Sequence, residues 1–168
     1  DERVVPPTDP ASNVGMATVA LLGPLGVAPE RIHAPRVELG GTDAAAAYEI
    51  EVRTVLGEAE PRFDLILLGM GDDGHTASLF PGGPELDVPD SRLVVASTAP
   101  FHPPGRITFT LPLIESARSV LFVVAGSAKA DALGRVMEGD RALPAARVQS
   151  AGALTWMVDA AAAQRDAG

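Results

Sequence analysis

The chain has 168 residues, 46% hydrophobic and 21% charged, enough for about one domain of ordinary globular composition and unlike a disordered, collagen-like or coiled-coil chain. Its net charge of −9 (13 basic against 22 acidic side chains) and its 4% aromatic content argue against nonspecific nucleic-acid binding. Cysteine is absent, which excludes disulfides and thiolate metal sites, and no apolar run approaches the roughly 18 residues of a membrane span.

In chain order, Arg3-Val4-Val5 reads as the tail of a strand ended by Pro6-Pro7. Asp9-Pro10 offers an N-cap and a first-turn proline. Val14, Ala17, Leu21 and Leu25 then recur at helical spacing, which predicts a helix over 11–22, closed by Gly23-Pro24. Arg31 to Val37 reads as a short extended segment. Thr42-Asp43 caps a second helix with a buried stripe of Ala45, Tyr48, Val52, Val55 and Leu56.

Phe63 to Leu68 is the strongest strand signal, a nearly continuous apolar run of the kind expected when helices cover both faces of a parallel strand. A glycine-rich loop, Gly69 to Gly83, follows it. Further strands are expected at Leu93–Ala96, Ile107–Leu111, Ser119–Ala125 and Leu154–Val158. A short helix is expected from Pro112 to Ala117. Another is capped by Ser127, with Ala130, Leu133, Val136 and Met137 on one face, and a terminal helix is capped by Asp159. Alternating strands and helices indicate an α/β fold, three-layered (α/β/α), with a mostly parallel, Rossmann-like sheet. In such sheets ligands sit beyond the carboxyl ends of the strands, where the loop after Leu68 and the turn at Gly126 both fall. No repeat and no long linker divides the chain.

The loop reads Gly69-Met70-Gly71-Asp72-Asp73-Gly74-His75-Thr76-Ala77-Ser78-Leu79-Phe80-Pro81-Gly82. Its glycines allow close approach of a ligand to the backbone. An imidazole takes a proton from water near neutral pH, so His75 is a candidate general base, and Asp73 stands where it can orient the ring. The residues alone leave two other readings open: a solvated glycine turn with an incidental histidine, and a metal site on Asp72, Asp73 and His75. The spacing matches no standard metal motif. A dinucleotide fingerprint fails because no helix-opening third glycine follows Gly69-Met70-Gly71 at the right place. Ser78 lacks the Gly-x-Ser-x-Gly elbow of serine hydrolases.

This loop resembles the signature of 6-phosphogluconolactonases, within the glucosamine/galactosamine-6-phosphate isomerase superfamily and its NagB-like fold. Other blocks agree in order. Asp1-Glu2-Arg3 with Val5-Pro6, Asp9 and Ser12-Asn13 is similar to the family's first substrate-site block. Pro104-Gly105-Arg106-Ile107-Thr108-Phe109-Thr110 resembles its arginine-bearing strand, and Gly126-Ser127-Ala128-Lys129-Ala130 its phosphate-binding lysine turn. Trp156 and Asp159-Ala160-Ala161-Ala162 resemble its ending.

The resemblance implies metal-free, cofactor-free hydrolysis of 6-phospho-D-glucono-1,5-lactone to 6-phosphogluconate, in the oxidative pentose phosphate pathway. His75 would be the general base, Asp73 its orienting partner and Asp1 an active-site carboxylate. Arg3, Arg106 and Lys129, the only lysine among 13 cations, would hold the substrate phosphate against the acidic background. Gly71 and Gly74 would belong to the substrate-binding set, and backbone N–H groups of the glycine loop would support the oxyanion. The proline-rich loop of His102 would lie near the site, whereas His33 falls in a connecting segment.

The partner is then a small sugar-phosphate lactone, with no nucleic acid and no membrane, and the protein is expected to be monomeric. Asp1-Glu2-Arg3 has neither the basic start nor the apolar stretch of a secretory signal, and together with the absent cysteine this suggests a cytoplasmic setting.

The family's fold opens with βα units and a Ser-Gly-Gly type phosphate loop ahead of the Asp-Glu-Arg block. Residues 1–168 therefore read as a single lactonase-like domain without those units, expected to be weak or inactive beside a longer parent. Two rivals remain. A glucosamine-6-phosphate deaminase or isomerase would continue after the histidine with an Ile-Ala-Phe-Asn-Glu-Pro type run rather than Thr76 to Pro81. The other is a noncatalytic sugar-phosphate-binding domain.

Overall fold

The computed structural model describes residues 1–57, 59–89 and 91–164. Its strands are β1 (Glu2–Arg3), β2 (Ile66–Leu68), β3 (Val94–Thr98), β4 (Gly105–Phe109), β5 (Ser119–Val124) and β6 (Ala153–Val158). Its helices are α1 (Asn13–Ala17), α2 (Gly41–Leu56), α3 (Leu111–Ser116), α4 (Ala130–Met137), α5 (Pro144–Arg147) and α6 (Ala160–Ala163). The strands form two sheets. β2, β5 and β6 run parallel in that order, with Ile66 opposite Val120 and Phe122 opposite Trp156. β1, β4 and β3 are antiparallel, with Arg3 opposite Arg106 and Ser97 opposite Arg106 on the other side. The α/β fold and the parallel sheet follow the strand and helix pattern. The antiparallel sheet has no signature in periodicity, because its register depends on contacts between distant segments.

Each sheet has its own core. Ile66, Leu68, Val120, Phe122 and Val124 pack with Ile114 of α3 and with Leu133 and Val136 of α4. Val94 and Ile107 pack with Ala44, Ala45 and Val52 of α2. Phe63 and Phe109 touch both clusters, with ring centroids 5.2 Å apart. Phe122 and Trp156 stack face to face at 3.9 Å.

The two faces of the parallel sheet differ in burial over these residues. Side chains alternate across a strand. Ile66 and Leu68 point into the core, whereas Leu65 (50% exposed) and Leu67 (62%) do not, and Val123 and Met157 share that second, exposed face.

Local differences have local reasons. Ser12, not Asp9, caps α1, by accepting from the Gly15 N–H; Asp9 instead closes a turn on the Ala11 N–H. A π-helical turn over Thr18–Leu22 continues α1, and Leu21 and Leu25 are exposed, so this helix packs little of its apolar stripe. The segment expected to be extended, Arg31 to Val37, runs between 3₁₀ turns at Pro29–Arg31 and Val37–Leu39; Ile32 is extended, and residues 32–36 join neither sheet. Val55 and Met137, assigned to buried stripes, are exposed. No helix among the described residues is long and apolar enough to cross a membrane.

Glu49 ties α2 to the antiparallel sheet. Its Oε2 accepts from the N–H groups of Leu93 and Val94, at the start of β3, and its Oε1 accepts from Arg53. Burial raises its carboxyl. The hydrogen bonds from Arg53, Val94 and Leu93 and the charge of Arg92 outweigh burial and hold it below the ordinary carboxylate range. A depressed folded-state value gives stability that is present above the unfolded value and lost as pH falls through the folded one. Glu49→Gln is therefore expected to lose about 1–2 kcal/mol near pH 7, and the difference from the parent should close in acid. Urea unfolding at several pH values measures both; an equal deficit at every pH would contradict the linkage.

Candidate active site

The loop that leaves the carboxyl end of β2 folds back on itself. The Gly71 N–H donates to the His75 C=O at 2.8 Å, and the Gly74 N–H donates to the Gly71 C=O at 3.1 Å. Both amides are committed inside the loop, so neither is a donor for an oxyanion. Oxyanion donors expected from the glycine loop therefore do not include these two, since spacing cannot say where an N–H points. What Gly71 contributes is a missing side chain: a β-carbon there would overlap the His75 ring and the Asp73 carboxylate.

Asp73 grips His75 twice. Its Oδ1 lies 2.5 Å from Nδ1 of the ring and accepts from the His75 backbone N–H at 3.0 Å. Burial raises the Asp73 carboxyl, but the two hydrogen bonds from His75 and the charge of its ring prevail and hold it below its ordinary value. An ionised carboxylate at Nδ1 accepts a hydrogen bond, which puts the proton on Nδ1 and leaves Nε2 as the basic nitrogen. The ring lies against Phe80 (centroids 4.7 Å) and Phe101 (6.1 Å), and these two phenyl rings meet edge to face.

His75 and Gly71 line a cavity of about 480 Å³ together with Asp1, Arg3, Asn13 and Lys129. Arg3 reaches it from β1, with Nη1 donating to the Ala11 C=O (2.6 Å) and to Oδ1 of Asn13 (3.0 Å). Beneath Arg3, the buried Glu2 carboxylate accepts from the N–H groups of Arg3, Asn13 and Val14 and from the Ser12 hydroxyl, at 2.7–3.1 Å. These bonds fold the segment after β1 back over its own start. Lys129 ends a 3₁₀ turn that opens at Gly126, whose φ of +97° favours glycine. Asp159 holds that turn, accepting from the Gly126 N–H while it caps α6 through the Ala162 N–H.

Arg106 stands apart from Arg3 and Lys129. It is 3% exposed, is absent from the cavity lining, donates to the carbonyls of Pro103 and Gly105, and lies 5.6 Å over the Phe101 ring. Burial, then the neighbouring charge of Arg3, lowers its guanidinium below the ordinary value, with Glu2 opposing; an arginine remains charged under such shifts. Gly74 packs against Leu143 rather than the cavity, and His102 is exposed outside it. Among the described residues no group of three His, Asp or Glu side chains is placed to hold a metal ion. Sequence reasoning passed over Glu2, Asn13, Phe80 and Phe101 as individual site residues. Only the buried carboxylate of Glu2, an uncommon placement for that residue type, marks one of them out, and burial is not visible in sequence.

The family model described as glucosamine-6-phosphate isomerases/6-phosphogluconolactonase matches residues 1–156. The chain is 44% identical to a 6-phosphogluconolactonase of Nostoc sp., over 96% of this chain and 69% of that protein. It is 41% identical to the 6-phosphogluconolactonase of Rattus norvegicus, over 98% of this chain and 65% of that protein. It thus spans about two thirds of the length of these relatives. The solved structure of 6-phosphogluconolactonase from Thermotoga maritima matches with a TM-score of 0.82 at 30% identity, over 94% of this chain and 69% of that one.

Proposed function

The chain belongs to the glucosamine-6-phosphate isomerase/6-phosphogluconolactonase family, and from that premise we propose that it hydrolyses 6-phospho-D-glucono-1,5-lactone to 6-phosphogluconate, a step of the oxidative pentose phosphate pathway. The observation that carries the reading is the Asp73–His75 pair, 2.5 Å apart, on a cavity that Arg3 and Lys129 also line. Water attacks the lactone carbonyl carbon and gives its proton to Nε2 of His75. The tetrahedral oxyanion then collapses, the bond from C1 to the ring oxygen breaks, and the ring oxygen takes the proton back from the imidazolium. Asp73 stabilises the ring in its charged stage. Arg3 and Lys129 attract the phosphate into an otherwise acidic protein, and the Asp1 carboxylate lies at the same cavity. Arg106, held against the Phe101 ring, serves the phosphate at second hand by adding positive potential beside Arg3. The reading includes a monomeric, cytoplasmic protein, and treats residues 1–168 as one domain.

The test is lactone turnover above the spontaneous rate, without ammonia release from glucosamine 6-phosphate. Ammonia release with no lactone turnover would favour the deaminase branch of the family and overturn the proposal; binding of sugar phosphates without turnover of either would leave a noncatalytic domain. Lys129→Ala is expected to raise KM for the lactone about 10- to 100-fold with a smaller effect on kcat, the range for losing a contact to a charged group. Added salt should weaken substrate binding in the parent more than in the variant. An unchanged KM would remove Lys129 from the phosphate site.

A further inference from the structure

Ser78 reads in sequence as a candidate nucleophile without its elbow, and the structure gives its hydroxyl another task. The residue is 1% exposed, and its Oγ donates to Oδ2 of Asp1 at 2.7 Å, across 77 positions of chain. Its main chain is pinned on both sides: the Ser78 N–H donates to the Thr108 hydroxyl (3.1 Å), and the Ser78 C=O accepts from the Ser97 hydroxyl (2.7 Å). Thr108 and Ser97 are themselves buried, on β4 and β3. The residue before it, Ala77, sits at φ +49°, a left-handed conformation that a residue with a β-carbon adopts only under constraint. The loop is therefore held in the one turn that directs the Ser78 hydroxyl at Asp1.

Asp1 is exposed, and Asn13 Nδ2 holds it mainly through its carbonyl, at 3.0 Å, with a long contact of 3.4 Å to Oδ2. A short hydrogen bond from a buried, immobile donor is what fixes the carboxylate's direction. Resting on the functional reading above, we propose that Ser78 is a positioning residue: it locks the Asp1 carboxylate in register with His75, so that one loop carries the base and also aims the carboxylate at the cavity. Its burial keeps substrate from the hydroxyl, and Ser78 is not among the residues lining the cavity, although Ala77 is.

The test is a double-mutant cycle on lactone hydrolysis. Ser78→Ala is expected to lower kcat about 10-fold with KM within about 2-fold, and to keep the parent's circular dichroism, since both main-chain bonds survive. In an Asp1→Ala background the same substitution should cost no more than about 2-fold, because the acceptor it acts through is gone. Parent-like kcat in Ser78→Ala, or losses that multiply in the double variant, would overturn the assignment. Should Ser78→Ala not fold, Ser78→Cys, a weak donor of similar size, carries the same expectations; loss of fold in both makes the hydroxyl structural and overturns it as well. Absence of lactone turnover in the unaltered protein would count against the functional reading alone. The link is then read from the Asp1 carboxyl by carbon NMR: its titration moves to higher pH in Ser78→Ala if the hydrogen bond is made, and an unmoved titration refutes it.

Discussion

His75→Ala is expected to lower lactone hydrolysis by about 10²–10⁴-fold, the usual share of a positioned general base, while the fold persists. The ring contributes little to the core: it rests on Phe80 and Phe101 at the cavity, and its backbone amide still bonds to Asp73 when the imidazole is removed. Asp73→Asn should fall between the parent and His75→Ala, because an amide can accept at Nδ1 but cannot stabilise the imidazolium. The Asp73 carboxyl, held below its ordinary value, stays ionised well into acid, and its hold on the ring is lost only as pH falls through that lowered value. A residual rate in His75→Ala within about 3-fold of the parent would exclude general-base catalysis by this residue.

Gly71→Ala is the second large effect, and it separates geometry from stability. The new β-carbon would overlap Nδ1 and Cε1 of His75 and Oδ1 of Asp73. The obstacle is the ends of two side chains rather than backbone, so the loop keeps its Gly71–His75 main-chain bond and the imidazole turns away instead. A displacement of about 1 Å at a reacting group costs about 100-fold in rate, and kcat is expected to fall by that order. The melting temperature should move by only a few degrees, about 1 kcal/mol in a domain of this size. Gly74→Ala gives the contrasting result. Its φ of +79° and its contact with Leu143 put the cost into stability, with a modest change in rate. Gly71→Ala with full activity would mean that the His75 orientation seen here is not the working one.

These two glycines also mark the limit of what the sequence discloses. Four residues apart at most from His75, they look alike in the chain; one makes room for a catalytic ring and the other supports the hydrophobic core through Leu143. Elements with strong local periodicity were legible: α2, α4, β5 and β6 fall where the apolar pattern puts them, and Asp159 caps α6 as expected. Val55 and Met137 defeat the same reasoning, because periodicity names an apolar face without saying whether a partner covers all of it. The anion set divides for a similar reason. Arg3 and Arg106 are paired across β1 and β4, yet one reaches the cavity and the other is folded against the Phe101 ring.

By itself the sequence determined the α/β class, most helices and strands, the family and the chemistry available in the His75 loop, because these depend on residue type and near-neighbour spacing. Tertiary structure decided which groups meet. It commits the Gly71 and Gly74 amides inside the loop, withdraws Arg106 from the cavity, and brings Ser78 to Asp1 across 77 positions. The physical reason is common to all three. Direction and burial are set by packing between segments far apart in the chain, and no local pattern encodes where those segments come to rest.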